Sequence, residues 1–141
     1  MEKPAFVYVT YIDTTPEKLW EALTNPEFTR QYWGGRRIEF DWELGSPVKM
    51  TSSKGEHEIL GKVIESRRCE LLSYTWHSKP PSKVTFLLEP FGAVMRLTVT
   101  HGGLSPESKE YERTRQGWIA ILSSLKSLLE RGKPLVYPWK E

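Results

Sequence analysis

The histidines are the side chains of this sequence best suited to acid–base or metal chemistry, and two of them fall on predicted strands. His57 begins the segment HEILGKVIE, and His101 ends the segment MRLTVTH. Strand alternation predicts that both can face inward, where an imidazole could transfer a proton or bind a metal. The alternative is a polar residue near a strand end that is hydrogen-bonded or hydrated. Because no H-x-x-x-H, C-x-x-C or carboxylate cluster accompanies them, we predict no catalytic residue, no metal site and no cofactor.

Charged residues form two further candidate groups. Glu39, Asp41 and Glu43 alternate with apolar residues along one segment, and their shared face is predicted to be the outward, hydrated one. Arg36 and Arg37 directly follow a glycine pair at the expected mouth of a cavity. They could hold a ligand carboxylate through paired hydrogen bonds, or they could be hydrated, and the sequence leaves both interpretations open.

Large aromatic side chains are the unusual feature of the composition, with six tryptophans, six tyrosines and five phenylalanines. Tyrosine and tryptophan rings can pack against an apolar ligand while their polar tips orient it. The alternative role for each ring is ordinary core packing. The candidate ligand-binding residues, which border one expected concavity, are Tyr32, Trp33, Phe40, Trp42, Met50, Tyr74, Trp76, Phe86, Trp118 and Leu122.

The elements that must position these side chains begin with a strand and two short helices. The segment FVYVTYI, residues 6–12, is rich in β-branched and aromatic residues and predicts the first strand. Thr15 as N-cap before Pro16 predicts a helix start. Asn25 before a second proline repeats that signal for a helix that ends near Tyr32.

Between residues 36 and 101 the apolar residues recur with a period of two, which predicts six further strands. The segment IEFDWEL is expected to form a strand as far as Leu44. Short turns make neighbouring strands antiparallel, so the sheet has about seven antiparallel strands in all. In HEILGKVIE, the residues expected on the inward face are His57, Ile59, Gly61 and Val63.

The C-terminal third predicts one long amphipathic helix. Ser105-Pro106 is its expected start signal, and Gly132 is its expected stop signal. Gly117, within the helix, should cost about 1 kcal/mol relative to alanine, and such a glycine usually admits a close backbone or ring. The apolar stripe consists of Tyr111, Trp118, Ile121, Leu122, Leu125, Leu128 and Leu129.

These elements predict an α+β architecture in which the sheet and the long helix cover each other. A sheet with one apolar face needs a cover, and a helix with one apolar stripe needs a sheet. A sheet of this size twists and curls, and one helix about 10 Å wide cannot fill its concavity. We therefore predict an apolar and aromatic cavity between sheet and helix, closed at one end by the two short helices.

Length and composition predict one domain. The 141 residues suffice for a core, and we place the domain at residues 1–133 and a tail at residues 134–141. A net charge of +2 gives no reason to expect nucleic acid or a membrane as partner. The single cysteine, Cys69, suits a reducing compartment, and the N-terminal residues lack the apolar core of a signal peptide. We therefore predict a cytoplasmic protein.

Five segments together resemble one known family. They are IDTTPEKLWEALTNPE, the Tyr32-Trp33 pair, GKVIE leading into LLSYTW, KVTFLLEPFGAVMRLTVTHGGL, and GWIAILSSLKSLLE. From about Val7 to Glu130 the chain resembles the family named after the C-terminal domain of the activator of the heat shock protein 90 ATPase, within the START/Bet v 1-like (SRPBCC) helix-grip superfamily. The resemblance implies a helix-grip fold with a cavity suited to hydrophobic ligands.

Three functions are open at this point. The first is non-enzymatic binding of a hydrophobic small molecule, a lipid or an aromatic metabolite, in the cavity, with a link to stress left open. The second is a protein-interaction domain that associates with a chaperone or with a second copy of the chain. The third, which the resemblance also implies, is a cyclase- or dehydratase-like enzyme, for which His57 and His101 are the only candidate pair.

Overall fold

A computed structural model describes residues 6–41, 43–76, 82–104 and 107–137, which form a seven-stranded antiparallel sheet and three helices. The strands lie in the order β1-β7-β6-β5-β4-β3-β2. This is the helix-grip architecture that the sequence predicts. The elements are β1 Phe6–Ile12, α1 Pro16–Thr24, α2 Pro26–Tyr32, β2 Arg37–Glu39, β3 Pro47–Thr51, β4 His57–Arg67, β5 Leu71–Trp76, β6 Ser82–Phe91, β7 Val94–Gly102 and α3 Lys109–Arg131.

The two short helices begin and end where their capping residues predict. The Thr15 hydroxyl accepts a hydrogen bond from the Lys18 N–H at 3.2 Å and so caps α1. The Asn25 side chain accepts one from the Glu27 N–H at 2.9 Å and caps α2. Each cap satisfies a backbone donor that has no partner inside its own helix, which is why local sequence alone locates both starts.

Strand β2 is shorter than predicted. It pairs with β3 only through three residues, and the expected extension to Leu44 is wrong because that residue lies in an exposed turn. Continued pairing would bring β2 opposite Pro47, which has no N–H to donate to the ladder. The chain leaves the sheet instead, and the Phe40 ring packs edge-on against Tyr74 with 5.4 Å between centroids.

Strand β4 contains a bulge, and the inward and outward positions of the strand are interchanged on its two sides. Its pairing with β3 passes from Val48↔Gly61 to Lys49↔Ile59, so Leu60 has no partner opposite it. One extra residue reverses the alternation, which makes Leu60 buried and leaves Ile59 about half exposed. The predicted inward placement of His57 and Ile59 is therefore wrong.

Helix α3 is capped by Ser108, whose hydroxyl accepts a hydrogen bond from the Tyr111 N–H at 3.0 Å. The expected start signal, Ser105-Pro106, lies outside the described residues. The helix ends at Gly132, which adopts the left-handed conformation at φ 78° that glycine takes without strain. None of the helices in the described ranges is long and apolar enough to span a bilayer.

The core lies between the concave face of the sheet and the apolar stripe of α3. The inward residues of β6 and β7 alternate as predicted. The last inward residue of β7, His101, is fully buried. The α3 side chains buried against the core are Trp118, Ile121, Leu122, Leu125 and Leu128. The chain after α3 turns back along that helix, where the Leu135 N–H donates to the Ser124 hydroxyl at 3.0 Å.

Candidate ligand cavity

A cavity of about 330 Å³ opens between the N-terminal half of α3 and the sheet. Three walls enclose it: one face of α3, the inward residues of β3, β4 and β5, and the segment that follows α2. Its volume lies at the lower end of the range that small-molecule sites occupy. The lining residues are Trp33, Arg36, Met50, Glu58, Leu60, Trp76, Arg113, Thr114, Gly117, Trp118 and Ile121.

The structure brings four of the ten candidate ligand-binding residues to this cavity: Trp33, Met50, Trp76 and Trp118. Trp42 lies outside the described residues. The remaining candidates do not line the cavity. Phe40 is partly buried and packs against the core, and the core residues are Tyr32, Tyr74, Phe86 and Leu122.

The cavity floor consists of the rings of Trp33, Trp76 and the central Trp118, and the core ring of Phe86 packs against Trp118. The Trp118 indole meets Trp33 at 5.3 Å, Trp76 at 5.9 Å and Phe86 at 5.6 Å between ring centroids, all edge to face. Edge-to-face contacts are the favoured aromatic geometry and are directional, so these rings hold one another in place. The floor is thus preformed and apolar.

A buried histidine orients the central indole. The Trp118 Nε1–H donates to Nδ1 of His101 at 3.0 Å, and Nε2 of His101 lies 2.7 Å from the Ser82 hydroxyl. Because an indole can only donate, Nδ1 must be the acceptor and Nε2 carries the proton. Burial lowers the pKa of His101 to about 4, so the ring is neutral at pH 7.

The two histidines considered as a catalytic or metal-binding pair do not converge. His57 is exposed at the start of β4, where its Nδ1 lies 3.0 Å from the Thr51 hydroxyl. His101 is committed to two buried hydrogen bonds on another strand. The described part of the chain also contains no group of three or more histidine, cysteine or acidic residues placed to hold a metal.

Gly117 contributes open space to the cavity wall. A Cβ atom built on Gly117 meets no heavy atom within 4 Å. The expectation that this glycine admits a close backbone or ring is therefore wrong. Since Gly117 lines the cavity, its missing side chain enlarges the cavity at that point.

The charged residues at the cavity come from three different elements. Arg36 follows α2, Glu58 lies on β4 and Arg113 lies in the second turn of α3. Of the arginine pair singled out in the sequence, only Arg36 reaches the cavity. Arg37 is exposed, and its Nε lies 3.3 Å from the Glu27 carboxylate.

The lining residues that sequence reasoning missed have two origins. Arg113, Thr114 and Gly117 share the helical spacing of Trp118 and Ile121, so the α3 periodicity could have identified them had polar residues been included. Leu60 and Glu58 face the cavity because of the β4 bulge. The alternation of apolar and polar residues in the sequence does not indicate this bulge.

The hydroxyl of Tyr74 is a buried polar group within the core. It is fully buried and makes no hydrogen bond in the described part of the chain. Burial raises the pKa of Tyr74 well above its usual value, as it does for Tyr32. Tyr32 differs because its hydroxyl donates to the Ala22 carbonyl at 2.9 Å.

Solved structures similar to this chain share its fold. Protein MLL2253 from Mesorhizobium loti is 28% identical with a TM-score of 0.75, and the match covers 89% of this chain and 96% of that one. Protein SSP2350 from Staphylococcus saprophyticus is 21% identical with a TM-score of 0.80, covering 94% and 96%. The Aha1 dimer from Colwellia psychrerythraea is 22% identical with a TM-score of 0.78, covering 92% and 98%.

The family is identified by sequence. Among curated proteins, none matches the chain. The family model described as "Activator of Hsp90 ATPase homolog 1-like protein" matches residues 13–130, which span α1 to the end of α3. The chain therefore belongs to the activator of Hsp90 ATPase homolog 1-like family.

Proposed function

We propose that the protein binds a hydrophobic small molecule, a lipid or an aromatic compound, in the cavity between α3 and the sheet, and does so without catalysis. The observation that carries this proposal is a cavity of about 330 Å³ whose walls include three tryptophans. The family to which the chain belongs has a fold that commonly binds hydrophobic ligands.

The chemistry of the wall favours an apolar occupant. Trp33, Trp76 and Trp118 present ring surface, and Met50 adds a flexible, polarisable side chain that adapts to irregular ligands. Transfer of apolar surface from water to such a wall is favourable by about 25 cal/mol per Å². Because the rings already hold each other in place, little ordering free energy opposes binding.

The proposal is tested by thermal unfolding in the presence of a library of fatty acids and aromatic compounds. A ligand present at about 100 times its Kd stabilises the native state by about 2.7 kcal/mol. For a domain of this size, that corresponds to a rise in Tm of about 5–10 °C. If no member of the library raises the Tm, the proposal is contradicted.

A second candidate, self-association, is favoured by the outer face of β1. Val7, Val9 and Tyr11 are 43–55% exposed on this edge strand, and the Tyr11 ring contacts the exposed Phe91 ring at 5.2 Å. An exposed apolar edge strand is a ready surface for a second copy. Sedimentation equilibrium should then show a dimer that V9K dissociates, and a monomer at all concentrations would contradict this candidate.

An enzymatic role and association with a chaperone have less support. The enzyme hypothesis loses its candidate pair, His57 and His101, because His57 is exposed away from the cavity. Association with a chaperone stays a prediction that rests on family membership alone. A cytoplasmic location is likewise proposed, with the single cysteine as its support.

A further inference from the structure

We infer that the molecule bound in the cavity carries a carboxylate and that Arg113 binds this group at the rim. The inference rests on the proposed function and adds the chemical class of the ligand. It predicts an amphipathic anion with an apolar body against the three indoles and its charge at the edge of the cavity.

The first observation is the balance of charge around the cavity. Its lining includes two guanidinium groups, Arg36 and Arg113, against one carboxylate, Glu58, and the other lining side chains are uncharged. Glu58 lies on the sheet side, on β4, whereas Arg113 lies on the α3 side. An anionic group is therefore favoured on the α3 side, away from the carboxylate.

The second observation is that Arg113 has no partner among the residues that the structure describes. Its guanidinium makes no hydrogen bond or ion pair within those ranges of the chain. The neighbouring Arg115, on the same helix, pairs with Glu112 at 2.9 Å, and Arg37 pairs with Glu27. Within the described part of the chain, the donors of Arg113 are therefore available to a ligand, whereas those of Arg115 are bound to Glu112.

The third observation is where the charge lies relative to the aromatic floor. Arg113 precedes Gly117 by one helical turn on the same face of α3, and Trp118 follows directly. A ligand whose body fills the space at Gly117 therefore has its end next to Arg113. The hydroxyl of Thr114, which also lines the cavity, adds a donor beside it.

A guanidinium at an exposed rim suits carboxylate recognition energetically. Its planar fork matches the two carboxylate oxygens, and hydrogen bonds between ionised partners are stronger than neutral ones. Because the rim is open to water, the charge need not be fully desolvated, so the usual penalty of a buried ion pair is reduced. The aromatic floor supplies the apolar part of the affinity.

The test compares two probes with the same naphthalene body, 1-naphthaleneacetate and the neutral 1-naphthaleneethanol, by titration calorimetry at pH 7. Wild-type protein is expected to bind the carboxylate about tenfold more tightly than the alcohol. R113Q should lose this preference and bind the two probes with equal affinity. R115Q, which removes the same charge from an arginine outside the cavity, should keep the preference.

Each other outcome overturns the inference. Equal affinity of the wild-type protein for both probes would show that the cavity does not recognise charge, while the proposed function would stand. If R113Q still prefers the carboxylate probe, Arg113 is not the residue that binds the carboxylate. If R115Q also loses the preference, the preference arises from the overall charge of the protein. Failure of both probes to bind would contradict the proposed function together with the inference.

Discussion

Trp118 donates its indole N–H to Nδ1 of His101 across 3.0 Å, so the central ring of the cavity floor is fixed by a buried, neutral histidine. The other ring nitrogen of His101 contacts the Ser82 hydroxyl at 2.7 Å on the neighbouring strand. Protonation of Nδ1 would remove the acceptor that Trp118 requires. The position of the Trp118 ring in the cavity floor therefore depends on the protonation state of His101.

This link predicts a loss of stability in acid. The unfolded chain protonates His101 near pH 6.5, whereas the folded protein resists protonation until about pH 4. The contribution of His101 to the free energy of unfolding is therefore complete above pH 6.5. It falls by up to about 3 kcal/mol as the pH drops towards 4.

Urea denaturation between pH 7 and 4 measures the effect. H101N should show a shallower pH dependence than wild type across this window, and H57Q, which alters an exposed histidine, should keep the wild-type dependence. Identical pH profiles for H101N and wild type would contradict the prediction.

The two buried tyrosines should respond differently to loss of the hydroxyl. Y74F removes a buried group without a partner in the described part of the chain and should leave stability unchanged or raise it by about 1 kcal/mol. Y32F removes the bond to the Ala22 carbonyl and should cost about 1 kcal/mol. Free energies of unfolding from urea titrations test the pair. A larger loss for Y74F than for Y32F would show that the Tyr74 hydroxyl has a stabilising role.

Two glycines should also respond oppositely to alanine. In G61A the new Cβ would lie 1.8 Å from the Thr75 carbonyl oxygen, an overlap that requires the backbone to move and should cost about 3 kcal/mol. In G117A the new methyl group meets open space, so the higher helix propensity of alanine should stabilise the protein by about 1 kcal/mol. Equal effects on the urea midpoint would contradict this account.

The segment after α3 is held by two serines of that helix, and one of them, Ser127, donates to the Lys133 carbonyl at 2.6 Å. Ser124 donates to the Leu135 carbonyl at 3.2 Å and accepts from the Leu135 N–H at 3.0 Å. S124A should therefore cost about 1–2 kcal/mol and speed hydrogen exchange at Leu135. S123A, one residue away, should change neither the free energy of unfolding nor the exchange. Unchanged exchange at Leu135 in S124A would show that Ser124 does not hold this segment.

The parts of the fold that depend on local sequence could be predicted. Thr15 and Asn25 cap their helices through contacts within four residues, and Gly132 ends α3 through its own backbone freedom. The alternation of β6 and β7 could also be read directly, because those strands pair without interruption. The domain boundary at residue 133 stays a prediction.

The parts that depend on pairing between distant segments could not be predicted. The bulge at Leu60 arises from the pairing of β4 with β3. The alternation of apolar residues in the sequence shows only whether a residue is at an odd or an even position of the strand. The bulge alone removed His57 from the interior and placed Glu58 at the cavity. The packing of α3 decides which of the aromatic candidate ligand-binding residues lie in the core and which line the cavity. Composition therefore could not distinguish Phe86 and Tyr74 from Trp76.

The most direct test of the central claim is a fluorescence titration with the neutral apolar probe N-phenyl-1-naphthylamine. Wild type and Q116L, which adds a leucine to the exposed side of α3 beside the cavity, should bind the probe with similar affinity. G117L, which places the same side chain in the open space of the cavity, should fold and bind at least about tenfold more weakly. Equal binding by G117L and Q116L, or no binding by wild type, would contradict the account.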